Sequence, residues 1–260
     1  MTERRETLLP FTQTGSGANT LVFIHGFLDD PSFWQSTIQA LEARNLSAVK
    51  IDLPGMGKAA DDPGPFSLDR LAEAVASVVD AVGRCTVLVG HSMGAQVAEL
   101  VARIRPRQNA GLVLLTPVPL GGLAVPEDAA TALRKSGGNP EAQRELRIKF
   151  SSHLTAADLD HAVEVGAKVR PETSAALFEV WSGGHDDGQA PSVVNVPVLI
   201  ISGADDPFVT PELLVTAIFP RFSRARSASI SSAGHWPHLE QPVAVAKAID
   251  GFLAQIGWSN

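Results

Sequence analysis

The chain has 260 residues, 45 % of them hydrophobic and 19 % charged, a length and apolar content that allow one large α/β domain or a domain carrying an insertion. With 28 acidic and 21 basic side chains and a formal net charge of −7, it lacks the basic footprint of a nucleic-acid binder. Cys85 is the only cysteine, which excludes an intrachain disulfide and any multi-cysteine metal centre.

In chain order, the opening "MTERRETLLPF" has neither the apolar segment nor the small-residue cleavage site of a secretory signal. No later stretch offers the roughly 18 consecutive apolar residues of a membrane span, so a cytoplasmic location with no membrane partner is expected. "ETLLPFTQTGSG" reads as an initial antiparallel edge hairpin. "TLVFIHG", "SAVKIDLPG", "CTVLVGHS" and "AGLVLLTP" then read as strands stopped by Gly or Pro. Between them, "FWQSTIQALEARN" and "SLDRLAEAVASVVDAVG" carry apolar residues at helical spacing. Continuous apolar strands alternating with helices predict a mainly parallel sheet covered on both faces.

From Pro119 to Asn195 no strand pattern appears. "AVPEDAATALRK" and "RPETSAALFEVW" place Pro near a helix start with acidic residues in the first turn. "VPVLIISGADD" and "RSASISSAGH" resume the strand pattern, and "PVAVAKAIDGFLAQIG" closes as a helix with Pro242 in its first turn. The expected organisation is a core in two parts, 1–118 and 196–260, with a helical cap at 119–195 inserted between them.

"GHSMG", residues 90–94, matches the G-x-S-x-G elbow, which lifts a serine hydroxyl out of a sharp strand-to-helix turn. The apolar run before Ser92 and the helical "AQVAELVARIR" after it supply the required context. A serine hydroxyl needs a base, and His235 in "SSAGHWPHLEQP" follows the last strand. The base needs an orienting acid, for which "GADDP" offers Asp205 and Asp206. Strand ends on one edge of a parallel sheet converge, so these distant residues can meet. The N–H of Met93 and that of Phe27 in "HGF" are candidate oxyanion donors.

The combination resembles the α/β-hydrolase superfamily, in particular its capped esterase, lactonase, haloperoxidase-like and carbon-carbon hydrolase members. "FIHGF", "DLPGMGKA", "GHSMG", "GADDPFV" and "AGHWPHLEQP" carry the resemblance over nearly the whole chain. It implies an α/β-hydrolase fold with a mainly parallel eight-stranded sheet flanked by helices. Within the acid turn, it selects Asp206, three residues after the strand-ending Gly203.

The expected activity is hydrolysis of small esters or lactones by a serine esterase using Ser92, Asp206 and His235, without metal or organic cofactor. Candidate pocket residues are His25, Trp181 and Trp236. An aspartate nucleophile, as in the dehalogenases and epoxide hydrolases of this fold, is excluded by Ser92. The alternatives are carbon-carbon bond hydrolysis of the meta-cleavage type, for which "GHW" also speaks, and perhydrolase or haloperoxidase-like activity. A small-molecule receptor is the competing class outside catalysis. Arg147, Lys149, Lys168 and Arg170 read as solvated helix charges, and His153, His161 and His185 have no visible partner. Monomer and homodimer both stay open.

Overall fold

A computed structural model of the protein describes residues 8–258. Its strands are β1 (Phe11–Thr14), β2 (Asn19–Ile24), β3 (Leu46–Ile51), β4 (Thr86–His91), β5 (Asn109–Leu115), β6 (Val198–Gly203) and β7 (Ala225–Ile230). They form one sheet in the order β1-β3-β2-β4-β5-β6-β7, parallel except for β1 against β3.

Seven strands among the described residues replace the expected eight. Among the described residues the N-terminal segment supplies one short strand and no hairpin, because β2 is already paired on both sides, by β3 and β4. β1 therefore takes the open edge of β3, with Phe11 opposite Ile51. Glu6 and Thr7, the start of that segment, lie outside the described residues.

Period-two alternation divides the strand side chains between two layers. Val22, Ile24, Leu88, Leu112 and Ile200 face α2 (Leu68–Val82) and α3 (Met93–Ile104), which pack beside each other. Leu21, Phe23, Val87, Val113 and Leu199 face the closing helix Pro242–Gln255 and Trp34, which immediately precedes α1 (Gln35–Ala40). Burying each such aliphatic side chain contributes on the order of 1.5–3 kcal/mol. α2 forms where the sequence predicts it: the Ser67 hydroxyl accepts from Arg70 N–H, and Gly83 ends the helix at φ 65°.

Four helices follow β5 before the chain returns to β6: α4 (Glu127–Arg134), α5 (Pro140–Phe150), α6 (Ala156–Ala167) and α7 (Pro171–Gly183). α4 packs on α7 and α5 on α6. Asn139 and Thr155 cap α5 and α6 with their side-chain oxygens. Among the described residues no helix is long and apolar enough to cross a membrane.

Candidate active site

The loops that leave the C-terminal ends of β2, β4, β6 and β7 meet over one edge of the sheet, the position where parallel α/β sheets gather functional groups. Ser92 sits between β4 and α3 with φ 53° and ψ −118°, a conformation rare for a residue with a side chain. The flanking glycines make the turn possible. A Cβ on Gly90 would overlap the Gly94 carbonyl, and one on Gly94 would overlap the carbonyl of His25.

Ser92 Oγ lies 3.0 Å from His235 Nε2, and His235 Nδ1 lies 2.9 Å from Asp206 Oδ2. Since a carboxylate only accepts, the proton belongs on Nδ1, and Nε2 is left to accept from the serine hydroxyl. All three residues are buried. The second Asp206 oxygen accepts from the N–H groups of Phe208, at 2.8 Å, and Val209, at 3.0 Å. Burial pushes the Asp206 carboxyl up, but His235 and these two amides outweigh it and hold the group below the usual range. Asp205 turns elsewhere and accepts from His153 Nε2 at 2.8 Å.

The backbone of His235 is fixed as firmly as its ring. Its N–H donates to Phe150 O at 3.0 Å, while its carbonyl accepts from His91 Nε2 at 2.8 Å and Thr116 Oγ1 at 3.0 Å. Gly234 N–H, one residue earlier, donates to Glu240 at 2.8 Å.

Met93 N–H opens α3, where an amide has no intrahelical acceptor, and Ser92 offers it no cap. Phe27 N–H likewise has no hydrogen-bond partner among the described residues. A cavity of about 30 Å³ lies beside Ser92, with Phe27, Leu146, Phe150, Trp181, Phe208 and Trp236 in its walls. His25 is absent from this lining. Its Nδ1 donates to Gly26 O at 2.9 Å and its Nε2 accepts from Leu53 N–H at 3.0 Å, so both ring nitrogens serve the loop behind the cavity. Among the described residues no group of three or more His, Cys, Asp or Glu side chains is arranged to hold a metal ion.

A family model described as "Alpha/beta hydrolase family" matches residues 21–248. The chain belongs to the alpha/beta hydrolase family. The chain is 28 % identical over 259 residues to the pimeloyl-[acyl-carrier protein] methyl ester esterase of Sodalis glossinidius, covering 92 % of the chain and 95 % of that protein. It is 35 % identical over 112 residues to the dihydrolipoyllysine-residue acetyltransferase component of the acetoin cleaving system of Cupriavidus necator; that match spans 43 % of the chain and only 30 % of the relative. Among solved structures, a thermophilic esterase from Thermogutta terrifontis with malate bound superimposes with a TM-score of 0.77 at 25 % identity, covering 95 % of this chain and 93 % of that one.

The protein also contains a buried polar cluster that its sequence does not display. Arg147, read as a solvated helix charge, is 0 % exposed, and its Nη1 donates to Asp29 Oδ1 at 2.6 Å. Trp236 Nε1 donates to the other Asp29 oxygen at 3.2 Å, and His91 Nδ1 stands 3.2 Å from that oxygen without hydrogen-bond alignment. Burial would push the Asp29 carboxyl up, but Arg147 and His91 overturn this and hold it far below the usual range. Asp29 and His91 also line the cavity. The paired acids in "HGFLDD" were the available signal; Asp30 caps the following turn, leaving Asp29 unaccounted for. The inserted segment's three histidines have partners too: His153 meets Asp205, His161 meets Ser32 and His185 meets Asp69.

Proposed function

We propose that this protein is a serine carboxylic-ester hydrolase acting on small esters or lactones through an acyl-enzyme. The observation that carries the reading is the hydrogen-bonded chain from Ser92 through His235 to Asp206, at 3.0 and 2.9 Å. His235 takes the Ser92 proton as the hydroxyl oxygen attacks the substrate carbonyl, and Asp206 stabilises the imidazolium that forms. The Met93 and Phe27 amides receive the negative charge developing on the carbonyl oxygen. His235 then protonates the leaving alcohol. It next deprotonates a water that attacks the acyl-enzyme carbonyl, which releases the acid and restores Ser92. These steps call for neither metal nor organic cofactor.

The largely apolar cavity walls suit a small uncharged acyl group. At about 30 Å³, the cavity is far below the roughly 300 Å³ at which ordinary ligand sites begin. Substrate admission therefore requires the walls to move, and residues 119–195 serve as the cap that opens. The esterase names of two similar proteins support ester chemistry. Carbon-carbon hydrolysis of a dienol keto acid is disfavoured, because among the described residues no Arg or Lys lines the cavity to receive its carboxylate, and Arg147, which reaches the cavity-lining Asp29, is already bound to it.

Steady-state turnover of a panel of p-nitrophenyl esters, aryl esters and small lactones tests the reading. At least one should be hydrolysed, with Ser92→Ala lowering kcat/KM by about 10³-fold or more. Equal rates in both proteins would remove Ser92 from the chemistry.

A further inference from the structure

The loop that carries the proposed oxyanion donor is held in an unfavourable conformation. Leu28, directly after Phe27, has φ 58°, the left-handed region that a Cβ disfavours. Within the loop only a long 3.4 Å bond, from Asp29 N–H to Gly26 O, closes the turn. Outside the loop's own backbone, His25 Nδ1 holds Gly26 O and Trp236 Nε1 holds one Asp29 oxygen, and the other grip comes from the inserted helices. Arg147 of α5 donates through Nη2 to Leu28 O at 2.9 Å and through Nη1 to Asp29 Oδ1 at 2.6 Å. A planar guanidinium fixes two such acceptors at once, which a single ammonium does not do with the same directionality.

We propose that Arg147 is a positioning residue: by clasping Leu28 and Asp29 from the cap, it keeps the Phe27 N–H aimed at the developing oxyanion. This inference rests on the serine-hydrolase reading above. One turn along α5 from Arg147, Phe150 accepts the His235 N–H at 3.0 Å, so the same helix holds both the oxyanion loop and the base. Docking of α5 thus assembles the site. The pair is not explained by stability, because burying two charges recovers little over apolar side chains of the same size. Nor is it a receptor for a substrate carboxylate. Nη1 and Nη2 already donate to protein acceptors, Gln143 Oε1 among them at 3.2 Å, and the guanidinium carbon lies 4.6 Å from the Trp236 ring centroid.

The test compares wild type with Arg147→Ala and with the double variant Asp29→Asn/Arg147→Met, all checked for cooperative unfolding. The double variant leaves no buried charge unpaired, so it keeps the question answerable if Arg147→Ala does not fold. Misplacing one oxyanion donor should lower kcat by about 10²-fold with KM within about threefold, and tens of millimolar guanidinium should restore Arg147→Ala by about tenfold or more. A folded double variant with kcat within about threefold of wild type, or with a change in KM alone, would overturn the proposal.

If wild type shows no Ser92-dependent turnover, the hydrolase reading fails, and amide hydrogen exchange then judges the clasp by itself. Exchange at residues 26–29 about tenfold faster in the double variant, with the central strands unchanged, supports it, whereas unchanged exchange contradicts it.

Discussion

Asp206 and Asp205 are neighbours in sequence and face different histidines: Asp206 Oδ2 accepts from His235 Nδ1 at 2.9 Å, and Asp205 Oδ2 from His153 Nε2 at 2.8 Å. Only Asp206 can hold the tautomer that leaves Nε2 free to accept the Ser92 proton. Asp206→Asn should therefore lower kcat by about 10⁴-fold while the protein stays folded. Asp205→Asn, which loses only its contact with His153, should keep kcat within about threefold. Steady-state kinetics on any ester that wild type turns over checks both.

Buried His238 stacks on Trp34 with ring centroids 4.4 Å apart. Burial first, and then its neighbour His91, hold the His238 pKa well below the ordinary value. The unfolded chain gains a proton there below about pH 6.5 while the native state does not, so stability is full above that pH and falls as pH drops. His91, also lowered chiefly by burial, adds a slope of the same sign. Replacing His238 with Phe should remove up to about 1.4 kcal/mol per pH unit from the slope below pH 6.5. Urea unfolding between about pH 5 and 7 reads this directly.

Much of this architecture is legible in the sequence because it is local. The runs ended by Gly or Pro became β2 to β6, and the residues expected to react lie in the loops that follow β4, β6 and β7. The choice of Asp206 over Asp205 came from resemblance, since adjacent carboxylates diverge by geometry that a sequence does not display. The Arg147–Asp29 pair was illegible for a physical reason. Its partners are 118 residues apart, and α5 spaces Arg147 among exposed charges such as Arg144 and Lys149, so nothing in its own helix marks it as buried. The count of seven strands among the described residues, where eight are expected, reflects pairing geometry: whether β1 folds back on β2 depends on which edge is free.

Gly94 lies where α3 packs tightly on the end of β2 and the loop that follows it. A Cβ there would overlap the carbonyl of His25 and lie 2.5 Å from that of Ile24, both on backbone that has no room to yield. Gly94→Ala should destabilise the fold by about 1–3 kcal/mol, as overpacking does. It should also push α3 away from Ser92 and slow turnover. Chemical denaturation and kinetics on the same preparation measure the two effects.

Trp181 closes the cavity from α7, with its ring 5.9 Å from Phe208 and 6.1 Å from Phe27. Trp181→Ala should make room for longer acyl chains. The kcat/KM ratio of a hexanoyl to an acetyl p-nitrophenyl ester should rise by about tenfold or more, the discrimination that one or two methylenes in an apolar pocket supply. An unchanged ratio would place the acyl chain elsewhere.

The central claim is that Ser92 forms a covalent acyl intermediate with His235 as its base. Rapid acid quench of wild type mixed with p-nitrophenyl acetate, followed by intact-mass and peptide analysis, tests this most directly. The account predicts a single added acetyl group of about 42 Da on the peptide containing Ser92, absent in Ser92→Ala and formed more slowly by about 10³-fold or more in His235→Ala. Ester turnover with no acyl group on Ser92, or acylation unaffected by loss of His235, would contradict it.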